Sequence, residues 1–186
     1  NMKYTGLMRY KFFKDNFKRF SLQHTYRSSY TINSYRSNLD YNETGYDAGG
    51  NFLNKILISN INLVEQFNPL ISMDFELKSA FRILASIKKD RALSLSFDNS
   101  LLTEVQGKEY VVGIGYRIKD VRMNSKFADN ATGEIKSDIN IKADFSMRNS
   151  KTIVRQLDYE NNRLAGGQNL WSVKLTADYA FSRNLT

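Results

Sequence analysis

Cysteine is absent from this chain. Disulfides, thiolate metal sites and a thiol nucleophile are therefore excluded, although the absence identifies no compartment. Histidine is nearly as scarce. His24 is the only one, and no partner near it in sequence would make it a ligand, a general base or part of a Ser–His–Asp relay. The single proline, Pro69, is expected in a turn, where a missing N–H costs no ladder bond. No apolar run approaches the roughly 18 residues of a membrane-spanning helix, and the mean hydropathy is −0.49. That excludes helical spanning but not a membrane. A spanning β-strand hides its lipid face in alternation, and every second residue pulls the mean toward polar.

What the chain does contain is aromatic and basic. Its 186 residues include 11 Tyr and 12 Phe, and 27 Lys and Arg against 19 Asp and Glu give a net charge of +8. Such a charge suits nucleic acid, anionic lipid or an acidic client. The basic residues are dispersed, however, and the densest stretch, "KKDR" (88–91), is interrupted by an aspartate. No nucleic-acid partner is expected.

Alternation is the dominant pattern. In "FSLQHTYRSSYTI" (20–32), Phe20, Leu22, His24, Tyr26, Ser28, Tyr30 and Ile32, apolar or aromatic in the main, interleave with Ser21, Gln23, Thr25, Arg27, Ser29 and Thr31. A period of two is that of a β-strand with one apolar and one wet face. At about 3.4 Å per residue this strand would exceed 40 Å, far longer than a usual strand. The pattern returns in residues 71–77, 93–98, 110–119, 138–148 and 171–181, and weaker strands are expected in 3–13, 52–63 and 152–159. The total is about nine, mostly of ten residues or more, as spanning strands should be. Short turns are expected at "KDN" (14–16), "EQFNP" (65–69), "TEVQGK" (103–108), "RNSK" (148–151) and "SRN" (182–184), and long polar loops at 34–51, 120–134 and 160–168. Long loops on one side and tight turns on the other are the arrangement of an outer-membrane barrel. In "ELKSAFRILASIKK" (76–89) Leu77, Phe81, Leu84 and Lys88 also sit at helical spacing. A hairpin tip between Lys78 and Arg91 is the expectation, with a short helix as the alternative.

Alternation alone does not separate a membrane barrel from a soluble sandwich with one buried face. Strand length favours the barrel. So do charges in mid-strand and Tyr110, Trp171, Tyr179 and Phe181 near strand ends, where aromatic girdles sit. On this reading Gln23, Thr25, Arg27, Asp138, Asn140, Lys142, Asp144, Lys174 and Asp178 face a water-filled lumen. Phe20, Leu22, Tyr26, Ile141, Phe145, Trp171, Leu175 and Tyr179 face lipid. Nine strands, each taking roughly 6 Å of circumference, close only a narrow barrel, and bacterial single-chain barrels use even numbers. The chain begins "NMKYTG" and stops at "FSRNLT", which read as cuts through a longer protein. The expectation is an all-β, antiparallel transmembrane β-barrel segment, with residues 1–186 one arc of a much larger single-chain barrel and not an independent domain.

Five blocks, in order, carry a resemblance: "EQFNPL" (65–70), "LSLSFDNSLLTE" (93–104), "KEYVVGIGYR" (108–117), "SDINIKADFSMRNSKTIVRQL" (137–157) and "GGQNLWSVKLTADYAFSRNLT" (166–186). Together they resemble the C-terminal part of the SprA/Sov family, the outer-membrane translocons of the Bacteroidetes type 9 secretion system. The likeness covers residues 62–186, and residues before 52 match less specifically. It implies a giant barrel in the bacterial outer membrane that exports folded cargo proteins carrying C-terminal secretion domains. It also implies a lateral opening, a plug protein and a PorV-type shuttle protein as partners, besides the rest of the same barrel and outer-membrane lipid. No enzymatic activity, cofactor or metal is expected.

Other motifs are set aside. "GIG" (113–115) lacks the third glycine and following helix of a dinucleotide loop; inward glycines that admit a close approach are the simpler reading. Asn130-Ala131-Thr132 is formally a glycosylation sequon in a surface loop. Asp138 and Asp144 are read as wall charges that pair across strands, not as a catalytic carboxylate pair. His24 is expected as a packed or interfacial side chain. Two alternatives share parts of the pattern: a soluble basic β-sandwich that binds sugar or nucleic acid, and an outer-membrane nutrient-receptor barrel.

Overall fold

The computed structural model describes residues 1–124, 134–159 and 161–179. The elements run β1 (Met2–Tyr4), a 3-10 turn (Gly6–Arg9), α1 (Lys11–Asn16), β2 (Phe17–His24), β3 (Tyr26–Ser37), β4 (Ile56–Leu77), β5 (Phe81–Ser96), β6 (Leu101–Asn124), β7 (Glu134–Gln156), a second 3-10 turn (Leu157–Tyr159) and β8 (Asn161–Tyr179). All eight strands belong to one antiparallel sheet ordered β1-β2-β4-β5-β6-β7-β8, with β3 also on β4. The sheet is open: β8 pairs only with β7, and β1 only with β2. No second sheet packs on it among the described residues.

β2 and β3 are two halves of one line beside β4. β2 pairs with residues 72–77 and β3 with residues 56–67. Between them Thr25 leaves both strands, donating its N–H to the Pro69 carbonyl at 2.8 Å and accepting from the Asn68 N–H at 3.1 Å. Pro69 therefore sits inside β4, at a register shift between Phe67 and Ile71. A proline is tolerated in a sheet at such an irregularity because no regular ladder bond is lost. The stretch 20–32 is thus strand on both sides of one break.

The expected strand count and turn positions are corrected. Among the described residues there are eight strands, against the expected nine or so for the whole chain, and five of them run 16 to 24 residues. "EQFNP", "TEVQGK" and "RNSK" are mid-strand in β4, β6 and β7, and "KDN" ends α1. Residues 3–13 are mostly a 3-10 turn and helix, residues 52–55 precede β4, and residues 152–156 continue β7. The loop at 160–168 is largely the start of β8, while 38–55 does form a long connection. Because the strands are longer, the long connection 38–55 and the short one 97–100 fall at the same end of the sheet, so the expected long/short asymmetry is not found among the described residues. Of the expected loop at 120–134, residues 125–133 lie outside the described residues. The helical reading of 76–89 also fails. Residues 78–80 turn the chain, and Ala80 has φ 66°, which ends any right-handed helix there. "SRN" and the sequon lie outside the described residues.

With both faces open, the sheet has almost no core. Phe20, 8% exposed, is the only apolar side chain buried among the described residues. The accessible surface is 13983 Å², against about 9,200 Å² for a compact monomer of this mass.

The lack of native cysteine makes the register directly testable in the full chain. Thr103 lies opposite Val154, so Thr103→Cys/Val154→Cys should cross-link efficiently on oxidation. Thr103→Cys/Ser150→Cys, about 14 Å out of register, should not. Cross-linking of the second pair alone would overturn this register.

Candidate functional site: an apolar belt backed by a polar face

Directly paired residues of an antiparallel ladder share a face, and alternate residues along a strand share it too. Five consecutive rows can therefore be followed across the sheet. They are Ile118–Ile139–Tyr179; Phe81–Tyr116–Ile141–Ala177; Phe20–Phe75–Ile83–Ile114–Ala143–Leu175; Leu22–Met73–Ala85–Val112–Phe145–Val173; and Ile71–Ile87–Tyr110–Met147–Trp171. Every member is apolar or aromatic. On β8 the belt takes the nine residues from Trp171 to Tyr179, within the 9–11 of a tilted spanning strand. It is roughly 27 Å along the strand, or about 21 Å along the normal at a 40° tilt. Aromatic residues cluster at both limits: Tyr179, Tyr116 and Phe81 at one, Tyr110 and Trp171 at the other, with Tyr26 and Phe67 in the next row. At the first limit Phe13, Phe17, Phe20 and Phe75 pack ring to ring at 5.0–5.8 Å.

The belt is uncovered. Leu175 is 75% exposed, Val173 69% and Trp171 61%. A contiguous apolar surface of this extent marks an interaction or membrane surface.

The opposite face of the same residues is polar. Its rows are Arg117–Asn140–Asp178; Glu76–Arg82–Gly115–Lys142–Thr176; Asp74–Leu84–Gly113–Asp144–Lys174; and Ser72–Ser86–Val111–Ser146–Ser172. Cross-strand ion pairs hold it together. Arg82 reaches Asp74 at 2.6 Å, Lys18 reaches Glu76 at 2.7 Å, Lys88 reaches Glu109 at 3.2 Å, and Arg117 bonds Asp138. Arg148 on β7 crosses β6 to reach Asp90 on β5 at 2.8 Å. It can do so because Gly107 leaves the intervening backbone bare: a Cβ there would lie 2.5 Å from both Arg148 Nη2 and Asp90 Oδ2. Gly113 likewise admits Asp144, whose Oδ1 would be 2.5 Å from an added Cβ. With Gly115 it floors a hollow of 230 Å³ walled by Arg82, Leu84, Lys142 and Asp144.

The sequence-predicted residues divide as the register dictates. Phe20, Leu22, Tyr26, Ile141, Phe145, Trp171, Leu175 and Tyr179 share the belt face, Tyr26 one row beyond the belt. Gln23, Arg27, Asp138, Asn140, Lys142, Asp144, Lys174 and Asp178 share the polar face. Thr25 is the exception, since it belongs to neither strand. Asp144 stands opposite Lys174, and Asp138 meets Arg117 across the ladder. His24 is packed, its Nδ1 2.5 Å from the Leu70 carbonyl and its ring 6.0 Å from Phe67. Phe181 lies outside the described residues. Asp74, Arg82, Asp90 and Arg148 were not foreseen. Their signal is visible only once β4–β7 are known to be continuous, because the pairs join residues up to 58 apart in sequence.

Beyond the fifth row the strands continue, and one further node was also missed. Glu104 is 1% exposed on the belt face and accepts from Arg91 Nε at 2.6 Å and Gln106 Nε2 at 2.5 Å, with Arg155 Nη1 at 2.5 Å from its other oxygen. Burial pushes its carboxyl up. Hydrogen bonds from Gln106, Arg155 and Arg91, with the charge of Arg155, outweigh that and lower it from 4.5 to about 2.

No protein-family model matches the chain, and no curated protein does. Among the described residues no group of His, Asp and Glu could hold a metal, and no helix is long and apolar enough to cross a membrane, which says nothing of crossing by strands.

A carboxylate whose pKa is lowered on folding stabilises above its unfolded value and loses that contribution as pH falls through the folded one. Glu104 should therefore contribute on the order of 1–3 kcal/mol above pH about 4.5, lost between there and about 2. In detergent, the unfolding temperature of the full chain should fall over this window, and more steeply than that of Glu104→Gln. Parallel profiles would remove Glu104 from the stability account.

Proposed function

We propose that this chain is part of the wall of a large outer-membrane β-barrel, a protein-conducting pore that exports folded proteins in the manner of a type 9 secretion translocon. The observation that carries this reading is the five-row belt, nine residues tall, rimmed by aromatic side chains and backed by a polar face. Lipid is the cover that such a surface fits, and water suits the face behind it. An open sheet is what an arc of a longer wall would be. The remaining strands would close the barrel by pairing with the free edges of β8 and of the β1–β3 side. On this reading some lumen charges are already paired, as Arg82 is with Asp74 and Arg148 with Asp90, and these offer passing protein no unsatisfied partner. Export of folded cargo, a plug and a shuttle partner enter from the resemblance to the SprA/Sov family, which spans residues 62–186. No bond is made or broken by this segment in such a role.

Two experiments bear on it. The intact mass of the native, membrane-extracted polypeptide should lie far above 21.5 kDa; a mass near that value would favour a small self-contained barrel or a soluble sandwich. In the full chain, Leu175→Arg, in the middle row of the belt, should cost about 2–4 kcal/mol and impair assembly. Lys174→Gln, on the opposite face, should change secretion more than assembly. Equal damage to assembly from both would overturn the face assignment.

A further inference from the structure

We propose that Lys89, Lys108 and Lys151 form a docking surface for the headgroups of net-anionic phospholipids at one rim of the belt. This rests on the membrane-wall reading above. The densest basic stretch of the sequence, "KKDR", is split by the alternation: Lys88 and Asp90 go to the polar face, Lys89 and Arg91 to the belt face. The two lysines then differ completely in company. Lys88 meets Glu109 at 3.2 Å, and at the same level of the polar face Arg148 meets Asp90 at 2.8 Å. Lys89 stands directly opposite Lys108, an arrangement that is destabilising when nothing anionic lies between the charges. Lys151, opposite Gln106, is diagonal to Lys108, within roughly 7–8 Å.

All three lysines are exposed, and none has an ion-pair partner among the described residues. The carboxylates nearest on that face are engaged elsewhere: Glu65 with Arg91 at 3.8 Å, Glu104 with Arg91 and Arg155 at 2.6 and 2.5 Å. The row holding Lys89 and Lys108 comes immediately after the row holding Tyr110 and Trp171. A lipid whose acyl chains lie on the belt therefore brings its headgroup to this level. Phosphate oxygens can bridge Lys89 and Lys108 and relieve their repulsion, and lysine, a flexible point charge with three donors, suits a mobile headgroup. A free anion would have the charge but not the chains.

The test uses the full-length protein in neutral detergent, with phosphatidylglycerol or phosphatidylcholine added, read by unfolding temperature and by lipid retained in native mass spectrometry. Phosphatidylglycerol should be retained preferentially and should raise the unfolding temperature. Lys89→Gln/Lys108→Gln/Lys151→Gln should lower its retention about tenfold, while Lys88→Gln leaves it unchanged. Lys89→Glu, which sets a carboxylate opposite Lys108, should raise the unfolding temperature without lipid yet diminish the response to phosphatidylglycerol. Equal retention of both lipids by the unaltered protein, or an undiminished preference in the triple variant, overturns the docking surface and leaves the membrane wall standing. A response to inorganic phosphate as large as that to phosphatidylglycerol also overturns it. A chain that stays soluble without detergent and retains neither lipid overturns the membrane reading itself.

Discussion

The structure depends on an apolar face that nothing among the described residues covers. A sheet normally buries one face against helices or a second sheet, and that burial supplies its stability. Here the belt face has neither among the described residues, and Leu175, in the middle of it, is 75% exposed. On the reading proposed above the cover is lipid, and its demand is continuity. Along β6, Tyr110, Val112, Ile114, Tyr116 and Ile118 form an unbroken apolar line, while their alternates Gly113, Gly115 and Arg117 belong to the opposite face. This also fixes the register. A slip of one residue between β6 and β7 would carry Asn140, Lys142 and Asp144 to the belt side, so mispairing is opposed at every strand.

The polar face follows a different rule. Many of the charges there are paired, and one pair, Arg148 with Asp90, reaches beyond neighbouring strands. Arg148 spans β6 because position 107 is glycine, so a residue with no side chain determines which ion pair can form above it. These pairs are partly exposed and individually of modest energy, since water screens them. Their consequence is chemical more than energetic: each pair removes two free charges from that face.

Much of this was legible from the period of two alone. It separated Phe145 from Asp144 and Leu175 from Lys174, and the ladder keeps them apart. The turns were not legible, for a physical reason. Where a strand leaves the belt both of its faces become polar, so "TEVQGK" and "RNSK" have the composition of loops. Around them Lys89, Lys108 and Asn149 continue one face while Asp90, Gly107 and Ser150 continue the other. Backbone pairing, which local composition does not encode, carries the strands through. The reading of Pro69 failed similarly. A proline marks an irregularity, and a register shift inside a long strand satisfies that as well as a turn does. Glu104 had no signal, because its partners come from β5 and β7 as well as its own strand.

The net charge gains a meaning here that composition could not give it. A total of +8 is consistent with nucleic acid, acidic protein or anionic lipid, and dispersal of the basic residues along the chain made it uninformative. Position is what discriminates. Cations on the polar face largely find carboxylates across the ladder: Arg82 with Asp74, Lys88 with Glu109, Arg117 with Asp138. That face consequently presents less net charge than its residue count suggests, and a basic groove for a polyanion is not what it forms. Several cations without such partners flank the belt instead, Lys89 and Lys108 beyond one limit and Lys11 and Lys14 on the helix beside Phe13 at the other. Repulsion between adjacent lysines costs least where an outside anion can approach, and the rims of an apolar belt are where a bilayer would bring one. The same alternation that sorts apolar from polar residues thus also separates Lys88, paired with Glu109, from Lys89, which has no such partner among the described residues.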